Sequence, residues 1–381
     1  MFAYLYTFLL TLVYIIALPI LFLLSFKRKY RQAIPARFFL WRNPPFSEPR
    51  IHFHSCSLGE TKALAPIVEH FDAVNLSVIT QTGYETAKRY ANAEVRYLPF
   101  EIFLWRWLRP GKALVVMEAE LWYLLFYISK KRGATTFLLN ARISDRSFPR
   151  YKRFAWFYRR IFAHIDYVFA QTETDKERLE VLGAKNVEVV GNIKLLATPQ
   201  MSKHYQKTKP LIVTASTHDP EEEIIATDWV MTQKGKSTLA VVPRHPERFD
   251  EVDELLRHIA RREELRYHRL SENESLDADI VLVDRMGELV NLYAVADLVI
   301  LGGSFVPVGG HNPIEPAYFG APIISGEHIF NQKESYAAVE GIEIVPAERL
   351  QEALARDSWQ PTRITATFDA EKVIGAIKNV V

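Results

Sequence analysis

Apolar positions are concentrated at the start of the chain, where residues 2–26 carry no charge at all. About 20 apolar residues in a helix, at 1.5 Å of rise each, already cross the ~30 Å hydrocarbon core of a bilayer. The segment lacks the positive n-region and the small-residue cleavage site of a secretory signal. The pattern therefore predicts an uncleaved membrane-anchor helix over residues 1–26. Pro19 and several tyrosines leave open whether it spans the bilayer as a single pass or lies in the interface.

Beyond residue 50, short apolar runs alternate with amphipathic stretches. In the first half, runs with strand length and β-branched content cover residues 51–56, 76–80, 94–99, 113–117, 136–140, 167–171 and 187–191. A polar stretch with two prolines, 191–210, indicates a linker. The runs then resume at 211–216, 238–243, 279–284, 297–303 and 321–325. Strands that alternate with helices predict parallel sheets, and we expect two doubly wound α/β domains, over residues 51–195 and 196–381.

Charge changes this picture at one place. The chain has 47 Lys and Arg against 45 Asp and Glu, but residues 27–50 hold seven basic residues and one acidic residue. Basic residues beside an apolar segment mark its cytoplasmic end and attract anionic lipid headgroups. We therefore expect a basic juxtamembrane segment over residues 27–50 and a body that faces the cytoplasm. A single cysteine, Cys56, fits that reducing compartment, since it can form no intramolecular disulfide.

Candidate chemistry in the second domain lies in glycine-rich and basic loops that follow strands, where parallel sheets bind their ligands. The sequence GGSFVPVGGHNPIEP at 302–316 places two glycine pairs, the second ending at Gly310, around a predicted strand–helix junction at Asn312. Free backbone amides at such a junction suit a phosphate, and Glu315 suits the vicinal hydroxyls of a ribose. Arg244, His245 and Arg248 follow another strand and offer donors to a phosphate, although a solvated basic loop is the alternative.

In the first domain, the run Ser57-Leu58-Gly59-Glu60 follows a strand and opens a helix. The Glu60 carboxylate can act as a general base toward a hydroxyl, or it can simply stabilise the helix N-terminus; spacing alone does not separate the two. Glycine at position 59 lets a substrate come close. Glu118 and Glu120 follow another strand, where they either raise the pKa of Glu60 and orient an acceptor or have structural roles.

Residues 142–160 combine seven basic residues and one acidic residue with six aromatic residues. This combination is found in nucleic-acid-binding surfaces, but beside a membrane anchor we expect an anionic lipid headgroup and no nucleic acid. An ordinary solvated helix face is the alternative. The sequence has no HExxH motif and no Cys/His cluster, so we expect no metal, and it has no GxxxxGK[ST] motif for ATP hydrolysis.

Nine motifs together resemble the family of Kdo (3-deoxy-D-manno-octulosonic acid) transferases, which glycosylate lipid A in lipopolysaccharide synthesis. They are SLGE (57–60), TQTG (80–83), MEAELW (117–122), NARISDRS (140–147), GNIK (191–194), STH (216–218), PRHPERF (243–249), MGEL (286–289) and GGSFVPVGGHNPIEP (302–316). The resemblance covers nearly the whole chain, anchor included. Three residues depart from the family pattern: Leu58 replaces valine, Glu101 replaces aspartate, and Tyr123 replaces proline.

The resemblance implies a GT-B fold, with two Rossmann-like domains, a cleft between them and an N-terminal anchor helix at the inner membrane. It implies inverting transfer of Kdo from CMP-Kdo, bound by the C-terminal domain, to a lipid A precursor such as lipid IVA, bound by the N-terminal domain. The family's catalytic glutamate falls on Glu60, with Glu118 or Glu120 assisting. No cofactor is implied.

The resemblance also assigns binding residues. The nucleotide site falls on Arg244, His245, Met286, Gly287, Gly302, Gly303, Ser304, Asn312 and Glu315. Arg142 and Lys194 are weaker candidates for the Kdo carboxylate, and Ser57 and Gly59 lie beside the acceptor. Two alternatives remain: another GT-B enzyme, such as a UDP-sugar transferase or a nucleotide-sugar 2-epimerase, and a non-enzymatic membrane-tethered protein that binds nucleotide sugars.

Overall fold

The structure is a computed structural model that describes residues 1–28, 30–196 and 199–381. Lys29, part of the predicted basic segment, lies outside these described residues. The chain divides into a first unit, Met1–Ala197 with Thr367–Val381, and a second unit, Thr198–Ala366. Each unit contains one parallel sheet of seven strands, which confirms the predicted doubly wound α/β class.

The elements follow one another in the order that the apolar pattern predicts. The helices are α1 Phe2–Ser25, α2 Ala33–Phe38, α3 Leu58–Val68, α4 Gln81–Ala87, α5 Leu104–Trp107, α6 Tyr123–Lys131, α7 Phe148–Arg153, α8 Ala155–Phe162, α9 Glu173–Val181, α10 Glu221–Gln233, α11 Phe249–Arg262, α12 Leu289–Tyr293, α13 Ile314–Tyr318, α14 Lys333–Ala337, α15 Leu350–Leu354 and α16 Ala370–Lys378. The strands are β1 Ile51–Ser55, β2 Val74–Val78, β3 Ala93–Tyr97, β4 Ala113–Met117, β5 Thr135–Ala141, β6 Tyr167–Ala170, β7 Val187–Val189, β8 Leu211–Thr217, β9 Thr238–Pro243, β10 Tyr267–Arg269, β11 Ile280–Leu282, β12 Leu298–Leu301, β13 Ile323–Ser325, β14 Val339–Glu340, β15 Ile342–Ile344 and β16 Arg363–Ile364. Short 3₁₀ turns cover Glu101–Phe103, Ile193–Leu196, Pro246–Arg248 and Ala347–Arg349.

The sheet of the first unit has the strand order β3-β2-β1-β4-β5-β6-β7. Its central strand, β1, is buried along its whole length, and Phe53 in its middle lies opposite Leu76 of β2 and Val115 of β4. Burial on both faces explains why β4 is a continuous apolar run, as is usual in parallel sheets. Strands β1 and β2 also contain buried polar residues, and two of these, His52 and Ser77, are hydrogen-bonded to each other across the strands at 2.8 Å.

The second unit has the strand order β10-β11-β9-β8-β12-β13-β15. Trp229 of α10 is fully buried against this sheet, with Ile212 and Leu239 in the same core cluster. Every run predicted as a strand overlaps one in the structure, although some boundaries differ by one or two residues. The edge strands β10 and β15 were not predicted, because each has only three residues and none of them is fully buried.

The C-terminal helix corrects the predicted domain boundary, which assigned residues 196–381 to one domain. The structure places Thr367–Val381 in the first unit. Asp369 caps α16 by accepting a hydrogen bond from the Lys372 amide, and Val373 and Ile377 are buried in the core of the first unit. The amphipathic face of α16 is therefore used by the first unit, a choice that periodicity alone does not reveal.

Helix α1 is long and apolar enough to cross a membrane, and within the described residues it alone meets that test. Its N-terminal half nevertheless packs on the first unit. The Tyr6 hydroxyl donates to Glu101 at 2.7 Å, and the Tyr14 hydroxyl donates to the Phe38 carbonyl at 2.6 Å. Two of the three departures from the family pattern, Glu101 and Tyr123, contact Tyr6, so they serve the docking of α1.

Burial of Glu101 contributes a pH dependence to the stability of the first unit. Burial raises the pKa of Glu101 to about 7, opposed by hydrogen bonds from Tyr6 and from the Leu124 amide. Because the folded pKa lies above the ordinary value of 4.5, the stabilisation is fully present below pH 4.5 and is lost as the pH rises through 7.

We expect the free energy of unfolding to fall by about 2 kcal/mol between pH 5 and pH 8, at ~1.36 kcal/mol per pKa unit. Glu101→Gln removes the titrating group and should flatten this part of the profile. The measurement is thermal unfolding in detergent across that pH range. Parallel profiles for the two proteins would show that Glu101 does not control the pH dependence.

Candidate active site

Glu60 lies in the first turn of α3, where the chain leaves β1. The Ser57 hydroxyl donates to Glu60 Oε1 at 2.8 Å, the Cys56 amide donates to Oε2 at 2.7 Å, and the Glu60 amide returns a bond to Ser57 Oγ at 3.3 Å. This pattern is a variant of the S-x-x-E capping box, in which the carboxylate accepts from the amide of the residue before the N-cap, and it stabilises the helix start. Glu60 therefore stabilises the N-terminus of α3, and the same hydrogen bonds fix its carboxylate in one orientation.

Two further carboxylates lie around Glu60. Burial raises the pKa of Glu60, the hydrogen bonds from Cys56 and Ser57 oppose this, and the charges of Glu118 and Glu120 raise the pKa further. Glu60 follows strand β1, and Glu118 and Glu120 follow the neighbouring strand β4. The strand order of the sheet reverses between these two strands. Ligands of open α/β sheets bind at such switch points.

The two neighbouring carboxylates differ in their partners. Glu118 Oε1 lies 2.8 Å from Lys194 Nζ, and Glu120 Oε2 accepts from Trp122 Nε1 at 2.7 Å. Burial also raises the pKa of Glu120. Lys194, predicted to meet the Kdo carboxylate, thus has an internal partner. Arg142, the other candidate for that role, is half-buried and also has an interaction partner.

Gly59 leaves the surface beside Glu60 open. A Cβ added at Gly59 would meet only Ser57 Oγ, at 4.0 Å, and the glycine has no positive φ. Neither backbone conformation nor packing therefore requires a glycine here. This observation supports the prediction that Gly59 gives a substrate access to the carboxylate.

In the second unit, the predicted nucleotide residues follow three inner strands, β11, β9 and β12, at the carboxyl edge of the sheet. Met286 and Gly287 come after β11, Arg244 and His245 after β9, and the 302–304 turn after β12. Strand order reverses between β8 and β12, so this edge contains the second switch point. The sheet thus brings to one edge loops that lie up to 60 residues apart in sequence.

The glycine-rich turn after β12 is not an open anion site, which corrects the prediction of free amides there. The amides of Gly303, Ser304 and Phe305 all donate to the Glu221 carboxylate, at 2.7, 3.1 and 2.9 Å. Glu221 is fully buried and also accepts from the His218 amide at 2.9 Å. The protein's own carboxylate therefore occupies the position that we expected a phosphate to take.

Packing requires a glycine at position 302, and the backbone conformation favours one at position 310. A Cβ on Gly302 would lie 2.7 Å from the Ser216 carbonyl oxygen, and the Gly310 φ of +79° is one that L side chains rarely adopt. The Gly310 amide donates to the Gly303 carbonyl at 2.7 Å. These glycines shape the loop, and the side chains around it remain available for a ligand.

The two arginines of the PRHPERF motif have different roles. Arg248 forms a two-pronged pair with Glu222, at 2.7 and 3.2 Å, and the Glu222 side chain is only 1% exposed. Arg248 is thus a structural residue and not a phosphate ligand. Arg244 is exposed, and its guanidinium has no ion pair among residues 1–28, 30–196 and 199–381. It remains free to meet an anion.

Three histidines meet at the second switch point, and the sequence predicted only one of them, His245. The His218 ring stacks on the His311 ring with centroids 5.3 Å apart, their Nε2 atoms are 3.1 Å apart, and His245 packs edge-on against His218. Burial lowers the pKa of His218, and it lowers that of His311 to about 4. The sequence could have indicated His218, because this residue directly follows strand β8, but its loop was considered only as part of the STH motif.

The remaining predicted residues are exposed. Met286, Asn312 and Glu315 all lie on the surface of the second unit, and Met286 is 67% exposed. A Cβ on Gly287 would meet nothing within 4 Å, but its φ of +90° favours glycine. Within the described residues, no group of three or more His, Cys, Asp or Glu side chains is arranged to hold a metal ion.

Residues with strained backbone conformations lie at the carboxyl edge of the sheet in each unit. Glu118, Asn140 and Ser216 have φ values of 53°, 57° and 59°, in the left-handed region that non-glycine residues rarely adopt. They lie at or just beyond the carboxyl ends of β4, β5 and β8. Such strain costs on the order of 1–3 kcal/mol and concentrates at functional sites.

Comparison with known proteins gives one consistent family. The sequence model described as 3-deoxy-D-manno-octulosonic-acid transferase matches residues 32–197. The 3-deoxy-D-manno-octulosonic acid transferase of Haemophilus influenzae is 32% identical over 88% of this chain and 84% of its own length. The 3-deoxy-D-manno-octulosonic acid transferase of Bordetella pertussis is 30% identical over 86% of this chain and 83% of its own length. Among solved structures, the UDP-GlcNAc 2-epimerase of Neisseria meningitidis covers 87% of this chain and 99% of that chain, with 12% identity and a TM-score of 0.55. This structural likeness shows an α/β fold of GT-B type.

Proposed function

Because the chain belongs to the 3-deoxy-D-manno-octulosonic acid (Kdo) transferase family of glycosyltransferases, we propose that it transfers Kdo from CMP-Kdo to a lipid A precursor. The acceptor proposed is lipid IVA or a close analogue, held by the first unit, and the second unit holds the donor. One observation supports the assignment of catalysis to a particular residue. The Glu60 carboxylate lies at the switch point of the first unit, is held in one orientation by two hydrogen bonds, and has a raised pKa.

Inversion at the anomeric carbon requires a single displacement with a base on the acceptor side. In the proposed reaction, Glu60 takes the proton of the acceptor hydroxyl, the hydroxyl oxygen bonds to the anomeric carbon of Kdo, and the bond to the phosphate oxygen breaks. CMP leaves with the electron pair. A raised pKa suits this role, because a carboxylate that binds protons more tightly is a stronger base near neutral pH.

On the donor side, Arg244 is proposed to hold the phosphate of CMP. Its exposed guanidinium, which has no ion pair within the described residues, offers a planar fork of donors. The neighbouring histidines add N–H donors without charge, since His218 and His311 have lowered pKa values. His245, Met286, Gly287, Asn312 and Glu315 complete the proposed nucleotide surface. Gly302, Gly303, Ser304 and Gly310 are proposed to shape it, because their loop encloses Glu221.

The Kdo carboxylate needs a cation, and Lys194 is the proposed partner, with Arg142 as the second candidate. Lys194 already lies 2.8 Å from Glu118, so a bound Kdo carboxylate would share or replace that contact. Basic residues of the segment 27–50 support a body that faces the cytoplasm beside an anionic leaflet.

The direct test incubates the purified full-length protein in detergent with CMP-Kdo and lipid IVA, with EDTA present. We expect mass spectrometry to show acceptor masses raised by one or more Kdo units, because Arg244 can carry the charge of a monophosphate leaving group without a metal ion. An activity that returns only with Mg²⁺ would refute the metal-free proposal. No product, together with tighter binding of UDP than of CMP, would favour a UDP-sugar enzyme.

Gly59→Ala gives a separate prediction about access to Glu60. Because the added Cβ meets nothing closer than 4.0 Å, we expect unfolding free energy to rise by about 0.4–1 kcal/mol. The acceptor KM should rise and the donor KM should not change, since the methyl group fills space beside the carboxylate. Calorimetry and steady-state kinetics test both parts. A stabilised variant with unaltered acceptor KM would mean that the open surface is not used by the acceptor.

A further inference from the structure

A shallow groove of about 300 Å³ runs between the N-terminal half of α1 and helix α8. Its lining is apolar and aromatic, and includes Phe2, Leu5, Leu9, Phe154, Trp156 and Tyr158. Leu5, Leu9 and Trp156 are each about half exposed, at 54%, 51% and 54%. Large apolar side chains grouped around one open groove mark a binding surface for something apolar.

The contacts of α1 keep this groove at the surface of the first unit. The aromatic ring of Phe2 lies 5.2 Å from that of Tyr123, and Tyr14, twelve residues later, bonds to the Phe38 carbonyl. At 1.5 Å per residue, the docked stretch is about 18 Å long. A helix that crossed the bilayer away from the unit would have to give up all these contacts. The structure therefore favours an α1 that lies along one leaflet, with its outward side chains, such as Ile16 at 77% exposure, in lipid.

Positive charge lies beside the groove. Helices α7 and α8 carry five basic residues and no acidic residue, and none of the five has an ion pair in the part of the chain that the structure describes. Their basic residues are Arg150, Lys152, Arg153, Arg159 and Arg160. The Arg160 guanidinium lies 4.7 Å from the Phe2 ring and 5.2 Å from the Trp156 ring, directly at the groove. An apolar groove with a cation at its edge fits a phosphorylated, acylated lipid.

An aromatic pair extends the groove lining onto helix α7. Tyr158, in the groove lining, stacks on Tyr151 with ring centroids 4.5 Å apart. Tyr151 is close enough to Glu120 for that charge to raise its pKa, although burial is the larger cause, and Glu120 acts in the same way on Glu60. The groove and the proposed base thus both belong to the first unit.

We propose that the groove between α1 and α8 binds one acyl chain of the acceptor lipid, so that the lipid's sugar is presented to Glu60. This inference rests on the proposed function. It makes α1 part of the acceptor site as well as a membrane anchor, and it predicts that acylation of the acceptor contributes to recognition.

The test compares Leu9→Trp, which fills the groove, with Ile16→Trp, which adds the same side chain to an exposed position of α1 outside it. We expect Leu9→Trp to raise the KM for acylated lipid IVA about tenfold or more, since each methylene lost from apolar contact weakens binding about fourfold. The KM for CMP-Kdo, the binding to anionic vesicles and the transfer to the fully deacylated disaccharide should not change. Ile16→Trp should behave as wild type.

A second measurement uses the wild-type protein and lipid IVA with a photoreactive group at an acyl-chain end. We expect labelled peptides from residues 2–9 and 154–158. Labelling confined to residues 15–26, or equal effects of the two tryptophan variants, would overturn the groove assignment. If wild-type protein transfers Kdo to neither acceptor, the proposed function fails, and the labelling result alone then decides whether the groove binds an acyl chain.

Discussion

Glu60→Gln is expected to lower kcat for Kdo transfer by about 10²–10⁴-fold, the usual contribution of a positioned general base. The substitution removes the proton-accepting carboxylate. It keeps the shape of the side chain and the capping box, because glutamine also serves at the last position of S-x-x-E/Q. The Cys56 amide can still donate to the carbonyl oxygen of the glutamine, and the Ser57 hydroxyl can instead accept from its amide nitrogen. Single-turnover transfer from CMP-Kdo, measured beside thermal unfolding, should show lost chemistry in a protein of nearly unchanged stability.

A second capping box provides the matched control. At the start of α9, the Thr172 hydroxyl donates to the Asp175 carboxylate at 2.7 Å, and the Asp175 amide returns a bond to Thr172 Oγ1 at 3.1 Å. Asp175→Asn perturbs the same motif in the same unit without touching the carboxylates around Glu60. We expect it to affect stability and to leave kcat near wild type. If Glu60→Gln retained wild-type kcat, Glu60 would be a helix cap only.

The pH profile sharpens this test. Because burial and the neighbouring glutamates raise the pKa of Glu60, the base form should be lost on acidification at a higher pH than for an ordinary glutamate. Glu120→Gln removes one of those charges, so the acid limb of kcat should move to lower pH. That displacement separates an electrostatic role of Glu120 from a purely structural one, which would change stability alone.

Sequence periodicity was sufficient for the two sheets, since buried parallel strands are continuous apolar runs such as ALVVM at 113–117. It also located the loops at both switch points, because these loops follow the strands directly. It was insufficient where the outcome depended on contacts distant in sequence. The amides at 303–305 looked free because their partner, Glu221, lies 82 residues earlier than Gly303. The docking of α16 on the first unit is invisible for the same reason.

Glu221 changes how the donor site is understood. A carboxylate buried under four amides is a fixed negative charge, held where glycine-rich turns often hold a phosphate. Burial raises its pKa, and the amide hydrogen bonds oppose that shift. The loop is therefore preorganised from inside, and a phosphate must be met by side chains on the outer surface. This places most of the anion-binding role on Arg244.

Arg244→Ala is accordingly expected to raise the KM for CMP-Kdo by about 10–100-fold, the loss of a charge-assisted hydrogen bond worth ~1.5–3 kcal/mol. Stability should not change, because the exposed guanidinium has no ion pair within the described residues. Arg248→Ala is the control from the same motif. Arg248→Ala removes the cationic partner of the buried Glu222 carboxylate, so we expect a loss of about 3–5 kcal/mol in unfolding free energy. Titration with CMP and thermal unfolding measure the two effects. If Arg244→Ala unfolded early and bound CMP normally, the two arginines would have the opposite roles, and the phosphate site would have to be sought elsewhere on the second unit.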